Sequence, residues 1–160
     1  MYASKSVREV LHRKGQGFWA VSPHTTAYDA LELMAEKNIG ALMVMDEKRL
    51  IGMFSERDYA RKVILKGKSS RTTSVEELMS SPPICAAPDM NLRECMALMT
   101  SNHIRHVPIV HNGVVLGLVS LGDVVAATIA DQEEVILQME NYIVGDDYTP
   151  AAVHARPGKA

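Results

Sequence analysis

Apolar positions along the chain alternate between helical and extended spacing, and the alternation occurs twice. Between residues 27 and 34, apolar side chains fall at i, i+3, i+4 and i+7, which is the spacing of one helix face, and the same spacing returns between residues 92 and 99. Two short apolar runs separated by a turn follow each of these helices, which predicts a β-hairpin. The paired runs are 41–45 with 50–54 and 107–110 with 114–119.

Further elements are predicted on both sides of each hairpin. Short apolar runs at 18–21 and 84–87 lie just ahead of a proline and predict a strand before each first helix. A second helix is predicted after each hairpin, with apolar positions in 59–64 and 124–128. Each half of the chain is therefore predicted to fold in the order strand, helix, hairpin, helix, which is an α+β arrangement.

The second half of the chain repeats the first at a constant distance of 65 residues. The segment Gly52–Asp58, with the sequence Gly-Met-Phe-Ser-Glu-Arg-Asp, recurs as Gly-Leu-Val-Ser-Leu-Gly-Asp at Gly117–Asp123. A unit with so few strands does not easily bury a core alone, so we expect the two copies to pack their sheets together as one structural unit.

Polar and apolar stretches divide the chain into five segments. The copies span 7–66 and 75–130, and the polar, turn-rich stretch 67–74 is predicted to link them. An acidic start and an apolar stripe predict a C-terminal helix at 131–147, docked on the body or on a second subunit. The tail, 148–160, has little to bury and is predicted to be disordered.

The composition argues against several classes of function. A net charge of −2 over 160 residues disfavours nucleic acid or an anionic membrane as the main partner. No window approaches 18 apolar residues and the first residues lack a secretory signal, so we expect a cytoplasmic protein. There is no Walker loop, glycine-rich dinucleotide fingerprint or organised Ser-His-Asp or Cys-His set, which argues against an enzyme.

The repeated Ser-x-x-Asp element, at Ser55–Asp58 and Ser120–Asp123, has two interpretations. The structural one is a capping box, in which the serine caps a helix and the acid reaches back to the cap's amide. The functional one is a nucleotide site, because a helix N-terminus favours phosphate and a carboxylate can accept hydrogen bonds from the two hydroxyls of a ribose. The occurrence of two copies at one spacing, each after a hairpin, favours a site.

The two copies resemble a tandem pair of cystathionine β-synthase (CBS) domains, the unit often called a Bateman module. The small-h-h-Ser-x-x-Asp ending and the segments 39–44 and 104–110 carry the resemblance, which covers residues 7–128. It implies a stand-alone signal-transduction protein of the bacterial type, with two βαββα repeats packed as an intramolecular pseudo-twofold pair. It also implies two clefts between the repeats for an adenosine-containing ligand, AMP first, with ADP, ATP, NAD or S-adenosylmethionine as alternatives.

The resemblance further implies which residues line each cleft. One cleft would use Ser55, Arg57 and Asp58, with Ser80, Ile84, Arg105 and His106 across from them. The other would use Ser120 and Asp123, with Lys14, Trp19, Gly40 and Ala41 across from them. Since Arg57, Arg105 and His106 gather at the first cleft, we expect a mono- or diphosphate to be held better there.

Two side chains keep a second interpretation. The spacing of His103 and His106 could suggest a metal site, but the strand context and the lack of nearby paired carboxylates favour a phosphate or hydrogen-bonding role for His106 and plain exposure for His103. Trp19 could stack on a base, as the resemblance implies, or could belong to the core.

The leading hypothesis is a non-enzymatic adenine-nucleotide sensor. It would form a homodimer, as the resemblance implies, and would change shape or assembly for an unidentified downstream protein to read. The main alternative is a structural dimerisation adaptor whose clefts are degenerate. A gene-regulatory role through RNA or DNA is disfavoured by the net charge.

Overall fold

The computed structural model describes residues 5–15 and 17–144 and contains two repeats of helices and strands. The helices are α1 (Val7–Lys14), α2 (Ala27–Lys37), α3 (Glu56–Lys62), α4 (Val75–Leu78), α5 (Leu92–Asn102) and α6 (Leu121–Val144). The strands are β1 (Ala20–Val21), β2 (Ala41–Asp46), β3 (Arg49–Ser55), β4 (His106–His111) and β5 (Val114–Ser120). A 3₁₀ turn, Ile64–Lys66, follows α3. The predicted order of strand, helix, hairpin and helix is present in the first repeat.

The first helix of each repeat is fixed by matching caps. Thr26 caps α2 by accepting a hydrogen bond from the third helical residue at 3.1 Å, and Asn91 does the same for α5 at 2.9 Å. Both helices end at a residue in the left-handed conformation, Asn38 with φ 53° and His103 with φ 52°. These caps turn the chain directly into the hairpins that follow.

The two sheets differ in their first strand. In the first repeat β1 pairs parallel with β2, and β2 pairs antiparallel with β3. In the second repeat β4 and β5 form the same hairpin, but the predicted strand at 84–87 is reduced to one parallel bridge, between Ala86 and Ile109. Both hairpins shift register at equivalent points, after Val44 and after Ile109. The two repeats therefore share this irregularity as well as their regular pairing.

Each core is completed by a helix that precedes the other repeat in the chain. Val7 and Leu11 of α1 are buried in the core of the second repeat, together with residues of α5, β4, β5 and α6. Val75 and Leu78 of α4 are buried in the core of the first repeat. The sequence predicted that the two copies begin at residues 7 and 75, whereas both opening segments pack across the boundary between the repeats.

Two equivalent glycines make room for these exchanged segments. A Cβ atom added at Gly52 of β3 would lie 2.6 Å from Met79 Sδ and 3.0 Å from the Ser80 carbonyl oxygen. A Cβ atom added at Gly117 of β5 would lie 2.8 Å from Leu11 Cδ2. Since real Cβ atoms do not approach so closely, Gly52 is needed for packing independently of any ligand, whereas at Gly117 the end of the Leu11 side chain would have to move.

The last helix is longer than the sequence predicted. The second helix of the second repeat and the predicted C-terminal helix at 131–147 form one uninterrupted helix, α6, as far as Val144. Residues 145–147 and the predicted disordered tail, 148–160, lie outside the described residues. Among the described residues, no helix is long and apolar enough to cross a membrane.

The two glycines give a matched test of the exchange. Gly52→Ala should lower the free energy of unfolding by about 1–3 kcal/mol, because the new Cβ atom meets the backbone of Ser80 as well as Met79. Gly117→Ala should cost less than about 1 kcal/mol, because only the flexible end of Leu11 must move. Urea unfolding at equilibrium measures both.

Gly17→Ala is the control, since an added Cβ atom there has nothing within 4 Å. It should change the free energy of unfolding by less than about 0.5 kcal/mol. Equal costs for Gly52→Ala and Gly17→Ala would contradict the close approach of the exchanged segment.

Candidate functional site

A cleft of about 650 Å³ opens between the two repeats. Its walls come from the junction of β3 with α3, from the chain after α4, and from the turn that leads from α5 into β4. The lining residues are Gly40, Ala41, Met53, Ser55, Glu56, Arg57, Asp58, Arg61, Ser80, Pro82, Pro83, Ile84, Asn102, His103, Ile104, Arg105 and His106. This volume lies within the range of small-molecule sites.

The structure brings together all seven residues that the sequence assigned to the Asp58 cleft. They are Ser55, Arg57, Asp58, Ser80, Ile84, Arg105 and His106. Gly40 and Ala41 line this cleft as well, although they were expected across from Asp123. The cause is local, because the Glu56 amide donates to the Gly40 carbonyl at 3.1 Å, which holds the start of β2 beside α3.

The capping box predicted at Ser55 and Asp58 is present. Asp58 Oδ2 accepts hydrogen bonds from the Ser55 amide and from Ser55 Oγ, both at 3.0 Å, and the Asp58 amide donates to Ser55 Oγ at 3.2 Å. Asp58 Oδ1 pairs with Lys62 Nζ at 3.0 Å, one helical turn later. The carboxylate is therefore fixed in position at the cleft wall, with 16% of the side chain exposed.

Basic side chains face the same cleft from both repeats. Arg57 and Arg61 come from α3, and Arg105 comes from the turn before β4; all three are exposed. Arg57 Nη1 donates to the His103 carbonyl at 2.9 Å, so this guanidinium spans the boundary between the repeats. With Glu56 and Asp58 as the acids on the wall, the three arginines leave an excess of one positive charge.

The surroundings of His106 favour its neutral imidazole. Burial lowers its pKa below the usual 6.5, and the positive charges of Lys14 and Arg105 lower it further, while Asp123 acts in the opposite sense. Its ring is 3.8 Å from the position of a Cβ atom added at Gly40, so a larger residue at 40 would contact it. His106 lines the Asp58 cleft, and its pKa also depends on the charges of Lys14 and Asp123, which belong to the second predicted site.

At the second predicted site, the structure pairs Asp123 with Lys14. Lys14 Nζ donates to Asp123 Oδ2 at 2.7 Å and to the Leu118 carbonyl at 3.1 Å. Asp123 Oδ2 also accepts from the Ser120 amide at 2.9 Å, and the Asp123 amide donates to Ser120 Oγ at 3.1 Å, so this capping box is present too. Burial raises the pKa of Asp123, but the hydrogen bonds from Lys14 and Ser120 outweigh it and hold the pKa below its usual value.

Trp19 is 47% exposed and does not belong to the buried core. Lys37 Nζ lies 4.4 Å from the centre of its ring, which is a cation–π contact. The core interpretation of Trp19 is therefore wrong, while its predicted role beside a base at the Asp123 site stays a prediction.

The sequence missed eight residues of the cleft wall. They are Met53, Glu56, Arg61, Pro82, Pro83, Asn102, His103 and Ile104. Most lie next to predicted residues in the same three segments, so extending each motif by one to three residues would have found them. Glu56 matters most, because it adds a negative charge at a position where the second copy has leucine.

Comparisons with known proteins bear on this arrangement. A family model of the CBS domain matches residues 7–64 and 75–130. CBSX3, a mitochondrial CBS domain-containing protein of Arabidopsis thaliana, is 35% identical over 153 residues, which cover 90% of this chain and 74% of CBSX3.

Solved structures of CBS-domain proteins are also similar to this chain. A candidate signal-transduction protein with CBS domains from Burkholderia ambifaria is 44% identical, with a TM-score of 0.77, over 80% of this chain and 96% of that one. A CBS-domain-containing protein from Agrobacterium tumefaciens is 32% identical, with a TM-score of 0.74, over 78% of this chain and 99% of that one. Since the family model matches both repeats, this chain belongs to the CBS-domain proteins and carries a tandem pair of CBS domains.

Proposed function

We propose that this CBS pair is a non-enzymatic regulatory module that binds an adenine nucleotide, AMP or ADP first, in the Asp58 cleft. The observation that carries the proposal is the meeting of one fixed carboxylate and three arginines in a single cleft. A nucleotide offers the complement of that set, namely a ribose diol and a phosphate. The similarity to the signal-transduction protein from Burkholderia ambifaria supports the regulatory part.

Asp58 is the group that would bind the ribose. Its two oxygens already accept bonds from Ser55 and Lys62, and these partners hold the carboxylate in place. A carboxylate has about four acceptor positions. Ser55 and Lys62 fill three of them, so one position on Oδ1 remains for a ribose hydroxyl, and the second hydroxyl would have to replace the bond from Ser55 Oγ or Lys62. An ordered carboxylate loses little entropy when the diol binds, which favours affinity.

The arginines would bind the phosphate. Arg57 and Arg105 approach the cleft from opposite repeats, and guanidinium groups donate two parallel hydrogen bonds to phosphate oxygens. The apolar side chains of Met53, Ile84 and Ile104 offer a surface for the flat face of the base. Together these groups account for all three parts of a nucleotide.

A ligand in this cleft would act on the position of the two repeats relative to each other. Because the two repeats contribute opposite walls, a nucleotide that touches both favours the arrangement that fits it best. The ligand can shift the balance between two arrangements of the repeats only by the difference in its affinity for them, and this difference limits the size of the response. We infer that a homodimer of the chain presents this change to a downstream protein.

The Asp123 site is expected to bind more weakly. Asp123 and Asp58 each pair with a lysine and a serine, so the two acids do not distinguish the sites. The position equivalent to Arg57 is Gly122, which supplies no side chain for a phosphate. The two sites of the pair are therefore expected to differ in affinity.

One observation favours the adaptor alternative. Both acids have lysine partners and both close capping boxes, so the protein satisfies them without a ligand. A structural adaptor with degenerate clefts would show the same pairs. Direct binding measurements separate the two functions.

Asp58→Asn should weaken the binding of AMP and ADP by at least about tenfold, because a neutral amide replaces a charged acceptor. Asparagine keeps an oxygen for the capping box, so the helix start is preserved better than with alanine. Isothermal titration calorimetry with AMP, ADP, ATP, NAD and S-adenosylmethionine measures the effect and the preferred ligand.

Asp123→Asn is the matched control, since it changes the equivalent acid. It should leave the tighter binding event unchanged. Absence of binding for all five ligands in the unmodified protein would overturn the nucleotide proposal and support the adaptor. Equal losses in the two variants would contradict the assignment of the tighter site to Asp58.

His106 should make nucleotide binding depend on pH. A phosphate in the cleft raises the pKa of His106, which burial holds below 6.5 in the free protein. A group whose pKa rises on binding takes up a proton, so its contribution to affinity grows as the pH falls through the bound-state pKa and levels off below the free-state pKa. Calorimetry across this range measures the trend.

His106→Gln is the reference, because AMP titrates in the same range. The difference in affinity between the unmodified protein and His106→Gln should widen toward low pH. Parallel profiles for the two proteins would show that His106 does not face the phosphate.

A further inference from the structure

One side chain connects the two candidate sites. His106 on β4 lies directly opposite Ser120 on β5, and the Ser120 amide holds the Asp123 carboxylate at 2.9 Å. The ring of the same histidine lines the Asp58 cleft. The backbone of His106 is therefore part of the Asp123 site, whereas its side chain is part of the Asp58 cleft.

The ring of His106 crosses the boundary between the repeats. Its Cε1 atom is 3.8 Å from the position of a Cβ atom added at Gly40, and Glu56 Oε2 is also 3.8 Å from that position. Gly40 and Glu56 belong to the first repeat, whereas His106 belongs to the second. The glycine therefore leaves the space in which the ring comes close to an acid of the opposite repeat.

The first repeat has a different residue at the equivalent position. The 65-residue shift carries Ala41 onto His106, and Ala41 lies opposite Ser55 in the same register. The methyl group of alanine does not titrate. The connection between the sites therefore depends on one imidazole and is not doubled by the repeat.

Charged groups act on this ring from both sites. Those around the cleft are Glu56, Arg57, Asp58, Arg61, His103 and Arg105, and those of the second site are Lys14 and Asp123. Burial lowers the pKa of His106 most, Lys14 and Arg105 lower it further, and Asp123 acts in the opposite sense. The neutral ring is therefore favoured in part by the Lys14 ammonium group, which belongs to the other site.

We propose that His106 couples the two sites, so that a phosphate at the Asp123 site strengthens nucleotide binding in the Asp58 cleft. A phosphate at the Asp123 site would pair with Lys14 and offset the positive charge that disfavours the imidazolium. A phosphate in the Asp58 cleft favours the imidazolium as well. Since both ligands favour the same protonated ring, each increases the affinity for the other. The inference rests on the proposed function, because it needs a nucleotide at both sites.

The coupling depends on pH in a defined sense. Well below the pKa of His106 in the free protein, the ring is already charged, so neither ligand changes it. Well above its pKa in the doubly bound protein, the ring stays neutral and the two ligands share no proton. Between these two values the first ligand causes protonation and the second gains from it, so the coupling is greatest there.

Lys14→Met tests the connection without a ligand at the Asp123 site. Loss of the ammonium group should raise the pKa of His106 and strengthen AMP binding in the Asp58 cleft by about threefold within that window, since half a pKa unit is a factor of about three. The sign is diagnostic, because the direct effect of removing a cation is weaker binding of a phosphate. Calorimetry from about pH 5 to about pH 8 measures the affinities.

Three further variants isolate His106. Lys14→Met combined with His106→Gln should show no gain over His106→Gln alone, as a double-mutant cycle requires. Lys48→Met removes the same charge at the exposed β2–β3 turn and should leave the AMP affinity unchanged. In a His103→Asn background, which lacks the exposed histidine of the cleft but suits the left-handed conformation at 103, Lys14→Met should keep its gain.

A variant with a disabled cleft tests the ligand itself. Arg57→Gln with Asp58→Asn should reduce binding to one AMP per chain, at the Asp123 site. That AMP should raise the pKa of His106, which NMR measures from the imidazole proton resonances over the same pH range. The same resonances should show a raised pKa for His106 in Lys14→Met.

Four outcomes would overturn the coupling. They are weaker or unchanged AMP binding by Lys14→Met; an equal gain with and without His106; no AMP bound by the disabled-cleft variant; and an unchanged pKa of His106 when that variant binds AMP. Each leaves the proposed function in place as long as the unmodified protein binds AMP. Failure of the unmodified protein to bind AMP would instead overturn the proposed function, and the coupling with it.

Discussion

Helix α1 inserts into the core of the second repeat, and α4 inserts into the core of the first. These two insertions fix the position of the repeats relative to each other. Val7 and Leu78 are almost fully buried, at 0% and 1% exposed, so separating the repeats would expose apolar surface in both cores at once. The Asp58 cleft depends on this relation, because its walls belong to different repeats. A site of this kind exists only while the exchange is intact.

Much of the repeat itself could be predicted from local patterns. The helix spacing at 27–34 and the Ser-x-x-Asp element at Ser55 depend on contacts within a few residues, so the sequence shows them directly. The exchange of α1 could not be read this way, because helical spacing says which face is apolar but not which core receives it. Its signal was present: Ser-Val-Arg-Glu-Val-Leu at 6–11 resembles Ser-Val-Glu-Glu-Leu-Met at 74–79, at a distance of 68 residues instead of 65.

The pairing of Lys14 with Asp123 could not be predicted from the sequence pattern either. Lys14 is the last residue of α1, and the matching helix α4 is shorter and ends before the equivalent position. A comparison of the two copies therefore cannot locate its side chain, and only the folded arrangement shows that it reaches Asp123 at 2.7 Å. The Ser-x-x-Asp motif supplies the acid of each site. The lysine that pairs with the acid comes from α3 for Asp58 and from α1 for Asp123.

The unbroken course of α6 makes it a lever. Its first turn contains Asp123, and its far end carries Ile143, so one rigid rod joins the second candidate site to the outer surface. Twenty-four residues span about 36 Å, so a tilt of about 5° at the first turn displaces the far end by about 3 Å. A displacement too small to disturb the packing around Asp123 would in this way be amplified at the exposed apolar end of the helix, near Ile143.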